Sequence, residues 1–156
     1  MISLREATIE DVPTILRFIQ ELADYEKEPD AAQATPADIE RTIFSDKPYA
    51  EVVIGELDGE PRGFALYFYN YSTWLGKPGL FLEDLYVQPD ARGSGLGKAL
   101  LTRLARIARD GGCGRMEWAV LDWNTPAISF YRSLGASSMD GWTTFRLDEA
   151  ALEALG

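Results

Sequence analysis

Residues 92 to 98 read Arg92-Gly93-Ser94-Gly95-Leu96-Gly97-Lys98, between an apolar β-rich run and an apolar pattern at helical spacing. Glycines at alternate positions permit positive φ and close approach, so successive backbone N–H groups can converge on an anion above the first helical turn. Pyrophosphate suits such a cradle. A Walker loop would need G-x-x-x-x-G-K-[S/T], but Arg92 holds the first glycine position and Ala99 follows the lysine. A Rossmann turn would need G-x-G-x-x-G, whereas the spacing here is G-x-G-x-G. The plain alternative is a flexible turn, and the strand ahead and helix behind favour the cradle.

The rest of the chemistry is bounded by composition. With no histidine and one cysteine, the chain can build neither a Ser-His-Asp triad nor the usual His- and Cys-based zinc sites, and no metal is expected. Catalysis must come from carboxylates, Tyr, Lys, hydroxyls, backbone amides or Cys113. The cysteine has no neighbouring group to activate it in Gly112-Cys113-Gly114 and reads as inert. Among 25 acidic residues a solvated surface position is the default. Glu83 departs from it, because it lies inside the apolar run Leu80 to Val87, where an unpaired carboxylate would cost several kcal/mol. Trp118 and Trp123 read as core, while Trp74 follows Tyr71-Ser72-Thr73 in a loop, where exposed aromatic surface signals a contact.

These groups need a scaffold. The chain of 156 residues reads as one domain, residues 1–156, burying roughly 70% of its unfolded surface. Ile2 to Ala7 predicts a strand, and Thr8 with Asp11 a capping box before a helix over 9–26, whose apolar face is Val12, Ile15, Leu16, Ile19, Leu22 and Ala23. Thr35-Pro36 predicts a short helix to about Phe44. Runs over 50–57 and 63–69 flank Asp58-Gly59, a hairpin signal, and 80–87 forms a third run. A helix over 97–110, a buried strand over 116–121, a helix opened by Asn124 and closed by Gly135, and a last strand over 142–147 complete the order. Strand and helix alternate in the second half, which implies an α/β domain with a right-handed crossover and partly parallel neighbours.

Glu21 to Glu26, Tyr71 to Trp74, Leu82 to Val87, Arg92 to Gly97, Ala119 to Asn124, and Phe130-Tyr131 with Gly135-Ala136 carry a resemblance. Over nearly its whole length the sequence resembles the GNAT superfamily of acetyl-coenzyme A dependent N-acetyltransferases. More narrowly it is similar to the spermidine/spermine and thialysine branch. Ser72-Thr73-Trp74 and Leu121 to Asn124 look more like the thialysine members. The resemblance implies a mixed, mostly antiparallel sheet with splayed central strands flanked by helices. It also implies that Leu85, Tyr86 and Val87 present backbone to the acetyl-pantetheine arm of acetyl-CoA. Arg92, Gly93, Ser94, Gly95, Leu96, Gly97 and Lys98 would hold the pyrophosphate, and Asn124, Thr125, Pro126 and Ala127 would contact the coenzyme further along. Tyr131 aligns with the tyrosine that protonates the leaving thiolate, where helix context alone would make it a packing residue. Tyr25, Glu26, Glu83, Glu117, Trp118 and Ala119 would surround the acceptor, and Asp140, on a shorter loop, stands near the family's second acceptor carboxylate. The amine's proton would pass to Glu83 or Glu26, or to a water bridging to either.

A net charge of −10 argues against phosphate-backbone binding and for a cationic partner. The expected activity is acetyl transfer by direct attack in a ternary complex onto a primary amine of a small cationic acceptor: a thialysine- or lysine-like amino acid, a diamine or a polyamine. A protein lysine or N-terminal acetyltransferase and a non-catalytic coenzyme A binding module are the rival readings. Relatives in this branch imply a homodimer. Without a basic leader or an apolar run of roughly 18 residues, a cytosolic protein with no membrane partner is expected.

Overall fold

Arg5 ties the first elements together. Its guanidinium donates to both carboxylate oxygens of Asp11, at 2.8 and 2.9 Å, and its Nε donates to Glu56 at 3.1 Å. Asp11 in turn accepts the Thr8 backbone N–H at 2.7 Å, so the predicted capping residues form and the buried carboxylate lies well below the usual range, held there chiefly by the Arg5 hydrogen bonds. The computed structural model describes all 156 residues and contains two compact units, Met1–Ala119 and Val120–Gly156.

The first unit is a five-stranded sheet in the order β1 (Ile2–Glu6), β2 (Glu51–Leu57), β3 (Glu60–Ser72), β4 (Lys77–Val87), β5 (Arg115–Trp118). Pairings are antiparallel except β4 with β5, which are parallel and joined through α3 (Leu96–Asp110). The β2–β3 hairpin turns at Asp58-Gly59, both at positive φ, as the dipeptide predicts. On one face α1 (Val12–Tyr25) and α2 (Pro36–Ile43) bury Val12, Ile15, Phe18 and Ile39 against Val52, Ile54, Phe64 and Tyr86. On the other, α3 buries Leu96, Leu100, Leu101 and Leu104. It approaches β2 so closely at Gly55 that a Cβ there would lie 2.8 Å from Leu96 Cδ1. No helix is long and apolar enough to cross a membrane.

The second unit holds α4 (Thr125–Ser133) and α5 (Glu149–Leu155). Two expectations are corrected here. The strand expected over 116–121 is Arg115–Trp118 and half-buried, because the chain then turns: Leu121 O accepts from Asn124 N and Trp123 O from Thr125 N, leading into α4. Residues 142–147 form no strand. Their composition favours β structure, but a strand exists only where an edge accepts its backbone bonds, and here Trp142, Phe145 and Leu147 are exposed. Asp148 instead caps α5 through the Ala151 N–H at 2.9 Å.

Gly63 of β3 lies opposite Val87, and an added Cβ would sit 2.5 Å from the Tyr86 carbonyl oxygen and 3.3 Å from Val87 Cα. Both contacts are backbone, so the strands must part. Gly63→Ala should therefore lower stability by about 1–3 kcal/mol in urea denaturation.

Candidate active site

The N-terminal half of β4 lies between two strands, and the rest has one. Gly79 to Leu82 pair with Arg115 to Trp118, but β5 ends there, so Glu83 to Val87 have only β3 beside them. The sheet opens on that side into a slot where the backbone of Leu85, Tyr86 and Val87 meets no strand. An arm carrying amides can bind there as an added strand, as the sequence reading expects.

A bulge sits where the strands part. Leu66 faces Asp84 and Tyr67 faces Leu82, so Glu83 is the extra residue on β4. Directly opposed residues share a face. The bulge therefore leaves Leu82 with Tyr67 and swings Asp84 onto the α1 face with Leu66 and Tyr86. Glu83 itself is exposed, which corrects the expectation of a carboxylate buried in an apolar strand. The desolvated group is Asp84, which sequence reasoning missed. Burial pushes its pKa from 3.8 up to about 6, helped by the negative charges of Glu83 and Glu26. Glu26, half-buried just beyond α1, is also raised by burial. The structure thus gathers Glu26 and Glu83, both predicted, around a third carboxylate.

Glu26 and Tyr25 are placed by the way α1 stops. Lys27 N donates to Asp24 O and Glu28 N to Ala23 O, a Schellman closure in which Lys27 takes the left-handed position at φ 64° usually held by glycine. One turn earlier, Glu21 accepts the Tyr86 hydroxyl at 2.8 Å and Gln88 Nε2 at 3.2 Å, fixing α1 against the end of β4. Arg92 lies over the Tyr25 ring at 4.8 Å and donates Nε to the Val87 carbonyl at 3.2 Å.

The glycine loop turns through two left-handed residues. Gly93 and Gly95 adopt φ 83° and 91°. The backbone N–H groups of Gly93, Gly95, Gly97 and Lys98 donate to no protein acceptor, while Ser94 Oγ accepts only from Leu96 N at 3.3 Å. Orphan donors at the start of a fifteen-residue helix, with an unobstructed approach at Gly93, fit a pyrophosphate. Beside the loop lies an open surface depression lined by Lys98, Arg103 and Arg106 with Leu4 and Ala99. These three cations are in no ion pair, so the loop sits in a positive field on an acidic chain.

Other expected residues are placed separately. Glu117 on β5 pairs with Arg115 at 3.2 Å, Trp118 is half-buried at the end of that strand, and Ala119 follows it. In the second unit Asn124 caps α4 by accepting from Ala127 N at 3.4 Å, with Thr125 and Pro126 in the first turn. Tyr131 lies in the last turn, its carbonyl accepting Ala136 N while Gly135 turns at φ 94°. That closure fixes Tyr131 near the helix end, with Phe130 at a ring distance of 5.8 Å. Asp140 is exposed and accepts from Ser138 at 3.0 Å. Trp123, expected in the core, is 43% exposed, since it lies in the turn before α4; Trp74 is 89% exposed, as expected of a loop contact.

Comparison with known proteins completes the picture. The model of the acetyltransferase (GNAT) family matches residues 15–136. The chain is 37% identical to thialysine N-epsilon-acetyltransferase from Bos taurus, over 99% of this chain and 96% of that protein. It is 30% identical to L-ornithine N5-acetyltransferase from Arabidopsis thaliana, over 97% and 86%. Among solved structures, an integron cassette protein from the mobile metagenome of V. cholerae superposes with a TM-score of 0.82 at 26% identity, covering 99% of this chain and 96% of that one. A matched family model across most of the chain and a full-length relative above 30% identity agree with the open β4 edge and the glycine loop: the chain belongs to the acetyltransferase (GNAT) family.

Proposed function

We propose that the protein moves an acetyl group from acetyl-CoA to a primary amine of a small cationic acceptor, a thialysine-, lysine- or ornithine-like amino acid, a diamine or a polyamine, with both units acting as one domain. The observation that carries this reading is the gathering of Glu26, Glu83 and Asp84 beside the strand edge that receives the acyl donor. Acetyl-CoA, when bound, supplies a thioester-activated acetyl group and leaves as the thiol. The chain's own residues do the rest. The loop from Gly93 to Lys98 and the charge of Arg92 hold the phosphates. The free edge of Leu85 to Val87 aligns the arm, and Asn124 to Ala127 meet it further along. Tyr25 and Glu26 receive the far end of the acceptor, with Glu117 to Ala119 and Asp140 as further contacts. Glu83, on the exposed bulge, takes the ammonium proton directly or through a water, within the negative field of Asp84 and Glu26. Tyr131 returns a proton to the departing sulfur, a phenol being able to protonate a developing thiolate of similar basicity. The resemblance that supports these roles also supports a homodimer, for which Tyr69, Tyr71 and Trp74 offer exposed aromatic surface.

A panel of amines tests the reading. Acetyl-CoA turnover should be detected with one or more of thialysine, lysine, ornithine, putrescine and spermidine. Turnover only on peptide lysines or N-termini would transfer the assignment to a protein acetyltransferase, and none with either class would favour the coenzyme A binding module.

Asp84 makes the reading sensitive to pH. Its carboxyl titrates at about 6 in the fold against 3.8 otherwise, so ionising it costs the folded state. The penalty is absent below the unfolded value, grows as pH rises towards 6, and is complete above it, at no more than about 3 kcal/mol. Asp84→Asn should accordingly be more stable than the parent at pH 7.5, by about 1–3 kcal/mol in urea denaturation, with the two converging near pH 4. In kcat/KM profiles the parent should show an acid limb near pH 6 that the variant lacks.

Tyr131→Phe should lower kcat by about 10²-fold while calorimetry finds coenzyme A affinity kept, the pattern of a lost proton donor. Retention of most of the kcat would reassign the proton to water.

A further inference from the structure

We propose that Arg103 and Arg106, with Lys98, form a second phosphate site that takes the ribose 3′-phosphate of coenzyme A, so that the protein prefers this donor to its dephospho form. The inference deepens the proposed function, because it rests on the glycine loop as the pyrophosphate cradle. Coenzyme A carries its phosphates in two groups, the pyrophosphate in mid-molecule and a monoester at the nucleotide end. The acyl arm leaves the pyrophosphate on one side and the ribose on the other. The loop has two such sides. A Cβ on Gly97 would lie 3.7 Å from Val87 Cγ2, at the end of β4, and one on Gly95 would lie 3.8 Å from Ile2 Cδ1 on β1. With the arm along the free edge of β4, the ribose is left on the side of β1.

That side holds the depression, which starts at Gly95 and follows α3 past Lys98, Thr102, Arg103 and Arg106, with no carboxylate among its lining residues. Helical side chains lean toward the N-terminus, so Arg103 and Arg106 reach back toward the loop from about two and three turns along α3. Thr102 turns its hydroxyl onto Lys98 O at 2.7 Å, which leaves the cations as the donors. Lys98 and Arg106 are exposed, Arg103 is half-buried, and none of the three is in an ion pair. The plain alternative is a solvated helix face. Such a face on a chain of 25 acidic and 15 basic residues should mix its signs, and most arginines elsewhere are paired. Glu6 and Glu51, whose charges act on Tyr67 together with that of Arg103, lie outside the depression. A phosphate monoester brings close to two negative charges and three acceptor oxygens, which guanidinium groups meet with paired N–H donors. It answers the three like charges at once.

Calorimetry with coenzyme A and dephospho-coenzyme A tests the site without an acceptor. In the parent protein coenzyme A should bind about tenfold more tightly than its dephospho form at low ionic strength, with the gap narrowing in high salt. Arg103→Gln with Arg106→Gln should bring coenzyme A down to the dephospho level while changing dephospho-coenzyme A by no more than about twofold, so that the second ligand reports an intact fold and cradle. Arg103→Lys with Arg106→Lys should keep most of the gap, since the charge remains. If the double glutamine variant does not fold, Arg106→Gln alone, at an exposed position, should narrow the gap by about threefold. Equal affinities in the parent, a gap that survives the glutamine changes, or equal losses for both ligands would each overturn the second site; a surviving gap would leave this face to another polyanion. Failure of the parent to bind either ligand would overturn the acetyl-CoA reading itself, and the site with it.

Discussion

The structure turns on the length difference between two neighbouring strands. β4 runs to Val87, whereas its parallel partner β5 ends at Trp118, level with Leu82. Backbone groups of a central strand are ordinarily consumed by two neighbours, and leaving five residues with one neighbour forgoes hydrogen bonds that burial would demand. The arrangement is tolerable because that side faces a slot. The bulge at Glu83 falls at the same point, so the strand's free edge begins where Glu83 and Asp84 part into different environments. Gly63 keeps β3 close to Tyr86 and Val87, and Gly55 lets α3 settle on β2, so the long strands remain a rigid floor for both features.

Charge is divided with the same economy. The protein carries a net −10, yet Lys98, Arg103 and Arg106 stand unpaired next to the loop, while Arg5, Arg17, Arg41, Arg62, Arg109 and Arg115 are engaged with carboxylates. Two regions of opposite charge therefore separate along the chain: positive from 92 to 106, negative at 26 and at 83–84. A field of this form draws a polyanion and a cation to different places, where a uniform acidic surface would draw only the cation.

Much of this was legible in the sequence because the signals were local. The Asp58-Gly59 turn, the Thr35-Pro36 start, the Asn124 cap and the Gly135 stop each depend on a few adjacent residues, and each forms where the sequence puts it. The glycine loop was legible for the same reason, its spacing excluding the common alternatives. What failed was non-local. Residues 142–147 have strand composition, but a strand requires an edge elsewhere to receive it, which composition does not report. Asp84 was passed over because the apolar run Leu80 to Val87 contains two adjacent carboxylates and composition does not say which of them is desolvated. A bulge shifts a strand's alternation by one residue, and its position is a property of the pairing with β3 that β4 alone does not encode.

The raised carboxyl also bears on a conflict within the proposed chemistry. Negative charges that attract an ammonium ion also stabilise its proton, yet the amine must lose that proton to attack. For an amine of pKa about 10.4, transfer to a carboxylate at 3.8 is uphill by about 9 kcal/mol, whereas transfer to one at about 6 is uphill by about 6 kcal/mol. For a proton that Glu83 takes and Asp84 shares, burial of Asp84 would thus remove roughly a third of the mismatch without removing the charge, since a group titrating at about 6 is still ionised at neutral pH. The exposed Glu83 lies adjacent in sequence, open to solvent and able to pass a proton onward to water. A desolvated carboxylate beneath an exposed one reconciles attraction of the cation with release of its proton better than either residue alone, and it is the bulge that places them as neighbours with different environments.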